Sequence, residues 1–277
     1  MGLFSGRNKI GLALGSGGAR GLAHIGVIKV LVKHKIPIDF IAGSSAGALI
    51  GGMYASIQDI EKVEEIASKV TYLDFLKAFS DPSLFQGLFR GDHAVKFIEN
   101  YIGKVNIEDL KIPFKAVATD IITGKTVAIA FGNLAKAIRA SSSLPILFQP
   151  IKLGKHYLVD GGTSLPVPAK IVKDMGADKV IAVNLDEIFF PQDRKAKLYK
   201  KLSTLAILRS SLDLLRYHLA RENVKEADIV INPNVPDVPL TKLVHGEELI
   251  KKGEDATKKI LPEIKKLIEK KFLFFSS

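Results

Sequence analysis

The pattern Gly-x-Ser-x-Gly at residues 43–47 places Ser45 between two glycines. An apolar run that predicts a strand over 38–42 precedes it, and small apolar residues that predict a helix over 46–57 follow. In that context the pattern is typical of a nucleophile elbow, a sharp turn that exposes the serine at a helix N-terminus. The helix dipole there favours negative charge. Ser45 is therefore a candidate nucleophile, with an ordinary glycine turn as the alternative.

A second glycine-rich segment, Gly15–Gly21, also lies between a predicted strand and a predicted helix. Its glycines let backbone N–H groups point at an anion, and the helix N-terminus adds a favourable dipole. Its spacing misses the dinucleotide fingerprint by one residue, and the Gly-Lys-Ser/Thr of a P-loop is absent. Four interpretations of this loop remain open: a nucleotide phosphate site, an oxyanion hole, a general anion nest, and a turn that binds nothing.

Two residues are candidates for the base that a serine nucleophile needs. Among the six histidines, His245 alone suits the Ser–Asp–His order of an α/β-hydrolase by position. Asp160 ends a predicted strand over 157–159, and the two glycines after it let its carboxylate approach another backbone closely. A tight Asp-Gly turn is the structural alternative at Asp160. The residues themselves leave both bases open.

The elements that must position these groups alternate along the chain. The order strand, helix, strand, helix over residues 9–57 predicts a mainly parallel central sheet with helices on both faces, a three-layer α/β fold. Further strands are predicted at 114–119, 126–130, 179–184 and 229–231. Further helices are predicted at 134–140, 168–175, 198–226 and 249–271, with Pro262 as a candidate break in the last of them. With no repeat and no long linker, residues 1–277 are expected to form a single catalytic domain.

The composition is ordinary for a folded protein: 277 residues, 47% hydrophobic and 25% charged. The absence of cysteine rules out disulfides, thiolate metal sites and a cysteine nucleophile. No segment reaches the ~18 uninterrupted apolar residues of a membrane span. The first apolar run is too short for a secretory signal. We therefore expect a cytoplasmic protein.

The charge is strongly basic, with 40 Lys and Arg against 29 Asp and Glu, a net +11. Because the basic residues are interspersed with acids, and because no nucleic-acid module is present, nucleic acid is not an expected partner. The basic segment 193–201 and the apolar end 272–275 suggest peripheral contact with an anionic membrane. A solvated loop and a terminal helix docked on the body are the alternatives for these two segments.

Three motifs taken together resemble the patatin-like phospholipase family: Gly15–Gly21, Gly43–Gly47 and Asp160–Gly162. Weaker matches lie at residues 118–120, 123–124, 139–150 and 166–168. The resemblance spans roughly residues 8–186 and is greatest to bacterial members close to neuropathy-target-esterase catalytic domains. The C-terminal helical part, 189–277, carries no family motif. Ser16 is one departure, since many members have glycine there, but its backbone N–H is unchanged.

The resemblance implies a serine acyl hydrolase that cleaves carboxylic esters of lipids. In that family pattern Ser45 is the nucleophile and Asp160 the base of a catalytic dyad that works through an acyl-enzyme. The backbone N–H groups of Gly17, Gly18 and Ala19 form the oxyanion hole.

The resemblance also implies that Arg20 stabilises the glycine-rich loop or attracts a phosphate head group. It implies no metal and no other cofactor, and a lipid or ester as substrate. The alternatives are a triad esterase that uses His245 and a non-catalytic nucleotide- or anion-binding protein that uses the Gly15–Gly21 loop. The natural ester and the oligomeric state do not follow from the sequence.

Overall fold

The computed structural model describes residues 7–70, 74, 81, 89–145, 147–187, 204–235 and 246–268. Its strands are β1 (Ile10–Leu14), β2 (Phe40–Ser44), β3 (Phe114–Asp120), β4 (Thr126–Ile129), β5 (Ile151–Leu153), β6 (His156–Asp160), β7 (Lys179–Val183) and β8 (Ile229–Ile231). Its helices are α1 (Ala23–Lys33), α2 (Ala46–Ile57), α3 (Ile60–Lys69), α4 (Asp92–Ile102), α5 (Leu134–Ser141), α6 (Ala169–Asp174), α7 (Thr204–Asn223), α8 (Gly246–Lys259) and α9 (Leu261–Ile268).

All eight strands belong to one sheet. Five of them run parallel in the order β3, β2, β1, β7, β8. The other three extend the sheet by antiparallel pairing: β4 and β6 on β3, and β5 on β6. The prediction of a mainly parallel α/β sheet is therefore confirmed.

Strand β3 is the branch point of this sheet, because it pairs with three strands. Along β3, the pairing with β2 ends at the pair Ser44–Val117. The pairing with β6 starts one residue farther along β3, at the pair Ala118–Asp160. Strand β4 covers residues 116–119 and so overlaps both partners. It must therefore occupy the opposite edge of β3. The carboxyl ends of β2 and β6 consequently meet end to end along one edge.

The core has two main parts, one on each face of the sheet, and a small third cluster of Ala118, Ala140 and Leu158. Alternate residues of β1 point to opposite faces, as strand geometry requires. The larger part holds Ile10, Leu12 and Leu14 together with buried side chains of α1, α2 and α8. The smaller part holds Ala13 together with Val172 of α6 and Ala220 of α7. Helices therefore cover both faces, as the sequence predicts.

Several predicted boundaries are corrected. The predicted helix after the glycine-rich loop begins as a 3-10 segment at Gly18–Leu22, which continues into α1. Strand β2 begins and ends two residues later than predicted, so it runs directly into Ser45. Strand β5 is not among the predicted elements.

The C-terminal part packs against the motif-bearing part. The predicted helix over 249–271 is two helices, α8 and α9, with the break just before Pro262. A Cβ on Gly26 would lie 1.9 Å from the carbonyl oxygen of Ile250, and one on Gly253 would lie 2.0 Å from that of Ala23. Helices α1 and α8 therefore approach backbone to backbone. This packing supports the prediction that the chain forms a single domain.

Two of the expectations about membranes concern segments outside the described residues. The basic segment 193–201 and the apolar end 272–275 both lie there. Within the described part of the chain, no helix combines the length and the apolar character needed to cross a bilayer.

Candidate active site

Ser45 lies in a strained turn between β2 and α2. Its φ of 55° and ψ of −118° are unusual for a residue with a side chain. A Cβ on Gly43 would lie 2.3 Å from the carbonyl oxygen of Gly47, and one on Gly47 would lie 2.1 Å from that of Leu14. Both glycines are therefore required by close backbone contacts. The predicted strand–serine–helix context is present, but the expectation that the turn exposes the serine is wrong, because Ser45 is only 6% exposed.

A neighbouring helix holds the strained serine in place. The Ser45 N–H donates to Ser141 Oγ at 2.9 Å, and that hydroxyl donates to the carbonyl oxygen of Val117 at 2.5 Å. Ser141 therefore ties the elbow to β3. It is absent from the residues predicted from sequence, and the run of three serines after predicted helix 134–140 is the signal that could have found it.

Asp160 is fixed at the end of β6 by its own backbone and by the turn that follows. Its N–H donates to the carbonyl oxygen of Ser143 at 2.9 Å, and its Oδ1 accepts from the N–H of Gly162 at 2.7 Å. A Cβ on Gly161 would lie 2.1 Å from the carbonyl oxygen of Val117 and 2.6 Å from Ser44 Oγ. The two strand ends meet so closely that only glycine fits there.

The carboxylate of Asp160 is only 4% exposed. Burial raises its pKa to about 6, against the opposing influence of the Ser45 hydroxyl as a hydrogen-bond donor, the Gly162 N–H and the charge of Arg216. Its Oδ2 has no partner of full hydrogen-bond geometry among the described residues. One carboxylate oxygen is thus held in place, while the other is available for a proton.

The glycine-rich loop presents unpaired backbone donors. Among the described residues, no acceptor is found for the N–H groups of Gly17, Gly18 and Ala19. On either side, the N–H of Ser16 donates to a backbone carbonyl at 2.8 Å and that of Arg20 donates to Gly17 at 3.2 Å. Free N–H groups are what the first turn of a helix offers an anion.

The same loop lies against both strand ends. A Cβ on Gly21 would lie 2.4 Å from the Cβ of Ala46, the first residue of α2. A Cβ on Gly162 would lie 3.0 Å from the Ser16 side chain and 2.9 Å from Asp160 Oδ1. The fold therefore brings together the three sequence motifs Gly15–Gly21, Gly43–Gly47 and Asp160–Gly162.

Arg20 is turned into the protein. Its Nε donates to the carbonyl oxygen of Gly17 at 3.3 Å, Nη1 to that of Leu185 at 2.6 Å and Nη2 to Asp186 Oδ1 at 2.7 Å. All three nitrogens are used internally. Of the two expectations for this residue, these contacts favour stabilisation of the loop over attraction of a phosphate.

Asp186 and Arg216 complete this ion cluster, and neither is predicted from sequence. Arg216 Nε donates to Asp186 Oδ2 at 3.1 Å. Asp186 follows β7 at the carboxyl end of a parallel strand, where ligand-binding residues of α/β sheets collect, so its position was a usable signal. Arg216 is one of several arginines on a long helix, and a single sequence offers no signal for it.

Two buried or partly buried histidines are hydrogen-bonded to groups other than the serine. His24 is buried and its Nε2 lies 2.8 Å from the carbonyl oxygen of Gly15, and burial lowers its pKa to about 4, so the neutral ring donates there. His156 Nδ1 lies 2.8 Å from Asp120 Oδ2. His245 lies outside the described residues. In the described part of the chain, no group of three or more His, Asp or Glu residues could hold a metal ion.

The fold and the sequence correspond to a known family. A patatin-like phospholipase family profile matches residues 12–173. The chain belongs to the patatin-like phospholipase family, which confirms the resemblance carried by the three motifs.

Its relatives include an uncharacterized NTE family protein of Mycobacterium bovis, 40% identical over 179 residues that cover 64% of this chain and 49% of that protein. The neuropathy target esterase of Drosophila melanogaster is 36% identical over 184 residues, 64% of this chain and 13% of that protein. The chain therefore spans at most about half the length of these curated relatives.

Two solved structures share the fold. VipD from Legionella pneumophila superposes with a TM-score of 0.59 at 16% identity, covering 93% of this chain and 67% of that one. The type III effector protein ExoU superposes with a TM-score of 0.50 at 13% identity, covering 95% of this chain and 56% of that one. Identities this low show the fold alone.

Proposed function

We propose that this protein hydrolyses carboxylic esters of lipids with Ser45 as nucleophile and Asp160 as base. The observation that carries the proposal is the meeting of β2 and β6 end to end on β3. That register brings the strained serine of one strand end against the buried carboxylate of the other. The membership in a family of phospholipases supports a lipid as the ester.

In the first half-reaction, Ser45 Oγ attacks the ester carbonyl carbon while its proton passes to Asp160 Oδ2. The carbonyl oxygen becomes an oxyanion, which the free N–H groups of Gly17, Gly18 and Ala19 stabilise. Each well-placed donor of this kind is worth about 3–4 kcal/mol in the transition state. The tetrahedral intermediate then collapses, the C–O bond to the alcohol breaks, and the alcohol oxygen takes the proton from Asp160.

In the second half-reaction, water attacks the acyl-enzyme and Asp160 accepts one of its protons. The same N–H groups stabilise the second oxyanion. When the bond to Ser45 breaks, the proton returns to Ser45 Oγ and the carboxylic acid is released. One water is consumed for each ester cleaved, and the site ends in its starting state.

The environment of Asp160 suits it to this task. A free carboxylate has a pKa near 4 and is a poor base at neutral pH. Burial raises the pKa of Asp160 to about 6, which brings it closer to the operating pH where a general base is most effective. Because Ser45 is hydrogen-bonded to Asp160, and because no hydrogen bond joins a described histidine to Ser45, this carboxylate is the base that the described site offers.

Labelling with a fluorophosphonate, followed by peptide mapping, tests the proposal. The reagent is expected to modify Ser45, and Ser45→Ala is expected to abolish both labelling and ester hydrolysis. Ser44→Ala is the matched control, because the adjacent hydroxyl is buried and has no hydrogen-bond partner among the described residues. Hydrolysis that survives Ser45→Ala, or a label on another residue, would overturn the assignment.

The pH profile and His245→Ala separate the dyad from a triad. Because Asp160 must be ionised to accept a proton, kcat/KM is expected to fall about tenfold per pH unit below pH 6. The dyad predicts that His245→Ala keeps its activity within about twofold. Loss of activity in His245→Ala would favour the triad.

A further inference from the structure

A buried carboxylate links helix α7 to the glycine-rich loop. The side chain of Asp186 is only 1% exposed, and it lies between two cations from different parts of the chain. Its Oδ1 accepts from Arg20 Nη2 at 2.7 Å, and its Oδ2 accepts from Arg216 Nε at 3.1 Å. Both oxygens are thus occupied, one by the loop and the other by α7.

The loop side of this cluster reaches the proposed oxyanion hole. Arg20 also donates to the carbonyl oxygen of Gly17, whose N–H is one of the three free donors. A second bond from Arg20 to Leu185 holds the same guanidinium to the chain that follows β7. The position of the free donors therefore depends on where Asp186 holds Arg20.

The helix side of the cluster reaches the proposed base. Arg216 is paired with Asp186 and also with Asp213 of its own helix, at 3.2 Å. Its positive charge stabilises the ionised form of Asp160, while the negative charge of Asp186 opposes that form. The other groups that act on Asp160 are the Ser45 hydroxyl and the Gly162 N–H. Arg216 thus acts on both halves of the site.

We propose that Arg216 is a positioning residue for the ester hydrolysis, because it holds Asp186 and, through Asp186, Arg20 and the oxyanion-hole loop. This proposal rests on the proposed function. It makes α7, which lies beyond the motif-bearing residues 8–186, a structural part of the active site.

The charges of this cluster explain why replacing Arg216 should affect both the position of the glycine-rich loop and the ionisation of Asp160. Removing one partner of a buried ion cluster leaves the remaining charges poorly compensated. Without Arg216, Arg20 is the one remaining described side chain that pairs with the Asp186 carboxylate, and the guanidinium that orders the loop is free to shift with it. The negative charge of Asp186 then acts on Asp160 without the neighbouring positive charge.

Arg216→Gln and Arg216→Lys test this, with Arg221→Gln as the matched control. Arg221 is an exposed arginine on the same helix, and its hydrogen bond and its cation–π contact are both with Tyr217. In Arg216→Gln we expect kcat to fall about tenfold, a fraction of the loss caused by deleting an oxyanion donor. We expect KM to stay within about twofold.

The pH profile separates positioning from a merely structural role. The acid limb of kcat/KM should move up by about one pH unit in Arg216→Gln, because an opposite charge nearby is lost. Arg216→Lys, which keeps the charge, should restore the limb but not the full kcat. Arg221→Gln should match the wild type in all respects. A wild-type kcat and acid limb in Arg216→Gln would overturn the proposal.

Hydrogen exchange provides a readout that does not depend on activity. The amides of Ser16 and Arg20 are hydrogen-bonded at the two ends of the loop. Their exchange should become about tenfold faster in Arg216→Gln and stay unchanged in Arg221→Gln. If Ser45 of the wild-type protein is not reactive, the proposed function fails. The exchange measurement still tests whether Arg216 holds the glycine-rich loop. If Arg216→Gln does not fold, the kcat and exchange of Arg216→Lys decide, and wild-type values for both would overturn the link.

Discussion

The two strand ends that meet on β3 are built in different ways. At the end of β2, Ser45 owes its position to backbone strain that flanking glycines allow, with φ at 55°. At the end of β6, Asp160 has an ordinary φ of −48°. What is unusual there is the burial of its charge. The backbone conformation at the end of β2 therefore fixes the position of the nucleophile. The buried surroundings at the end of β6 set the pKa of the base.

Because of this difference, substitutions near Ser45 and at Asp160 should have different effects. The elbow depends on contacts between backbone atoms, which cannot move without moving the sheet. The carboxylate depends on side chains and on desolvation, which a single isosteric substitution can change without altering the fold. Substitutions of the glycines that flank Ser45 should thus act on stability, whereas an isosteric substitution of Asp160 should act mainly on activity.

The largest effect is expected from Asp160→Asn. The amide has nearly the same shape and keeps the oxygen that accepts from Gly162, but it cannot take the proton of Ser45. We expect kcat for ester hydrolysis to fall about 10⁴-fold, the scale seen when the acidic member of a catalytic serine site is removed. Steady-state kinetics at pH 8 measures this. Asp174→Asn, an exposed carboxylate on α6, is the control, and a loss below tenfold would remove Asp160 as the base.

Gly47→Ala and Gly162→Ala compare the two ends directly. In Gly47→Ala the new Cβ meets the carbonyl oxygen of Leu14 at 2.1 Å, so we expect a loss of about 4 kcal/mol or more in the free energy of unfolding. In Gly162→Ala the nearest atoms are side-chain atoms of Asp160 and Ser16, at 2.9–3.0 Å. These atoms can shift, so we expect less than about 2 kcal/mol. Urea unfolding measures both, and equal losses would contradict the comparison.

The stability of Asp160→Asn should reveal the cost of the buried charge. The folded pKa of about 6 exceeds the ordinary value of 3.8, so the contribution of this group to stability is complete below pH 3.8 and is lost as the pH rises through 6. Above pH 6, Asp160→Asn should be more stable than the wild type by up to about 3 kcal/mol. Below about pH 4 the difference should vanish. Unfolding curves from pH 4 to 8 measure it, and a variant that is less stable at pH 8 would contradict it.

The smallest effect is expected from Ser141→Ala. It leaves the Ser45 N–H and the Val117 carbonyl without the hydroxyl that joins them, which should cost about 1–2 kcal/mol of stability. Ser142→Ala is the control, because its hydroxyl makes no hydrogen bond to a described residue. Thermal unfolding compares the two variants. Equal stabilities would show that the elbow holds its shape without Ser141.

Much of the fold could be predicted because its signals are local. The apolar runs of β1 and β8 and the small-residue helix α2 follow directly from composition and period. Boundaries were harder wherever a turn decided them: the start of α1 is a 3-10 segment, and β2 runs two residues farther than its apolar run suggests. Strand β5 has the sequence Ile-Lys-Leu and is too short to be distinguished from a loop without its partner.

The sequence by itself determined the nucleophile motif, the glycine-rich loop and the candidate aspartate, because each depends on residue types within a few positions of one another. Only the tertiary structure decided that β6 follows β2 along the same edge of β3, since pairing between distant segments leaves no local pattern. The tertiary structure also decided that Asp186 and Arg216 form an ion cluster with Arg20 of the glycine-rich loop. A buried charge acquires its partner, and its pKa, only when segments far apart in the chain are packed together.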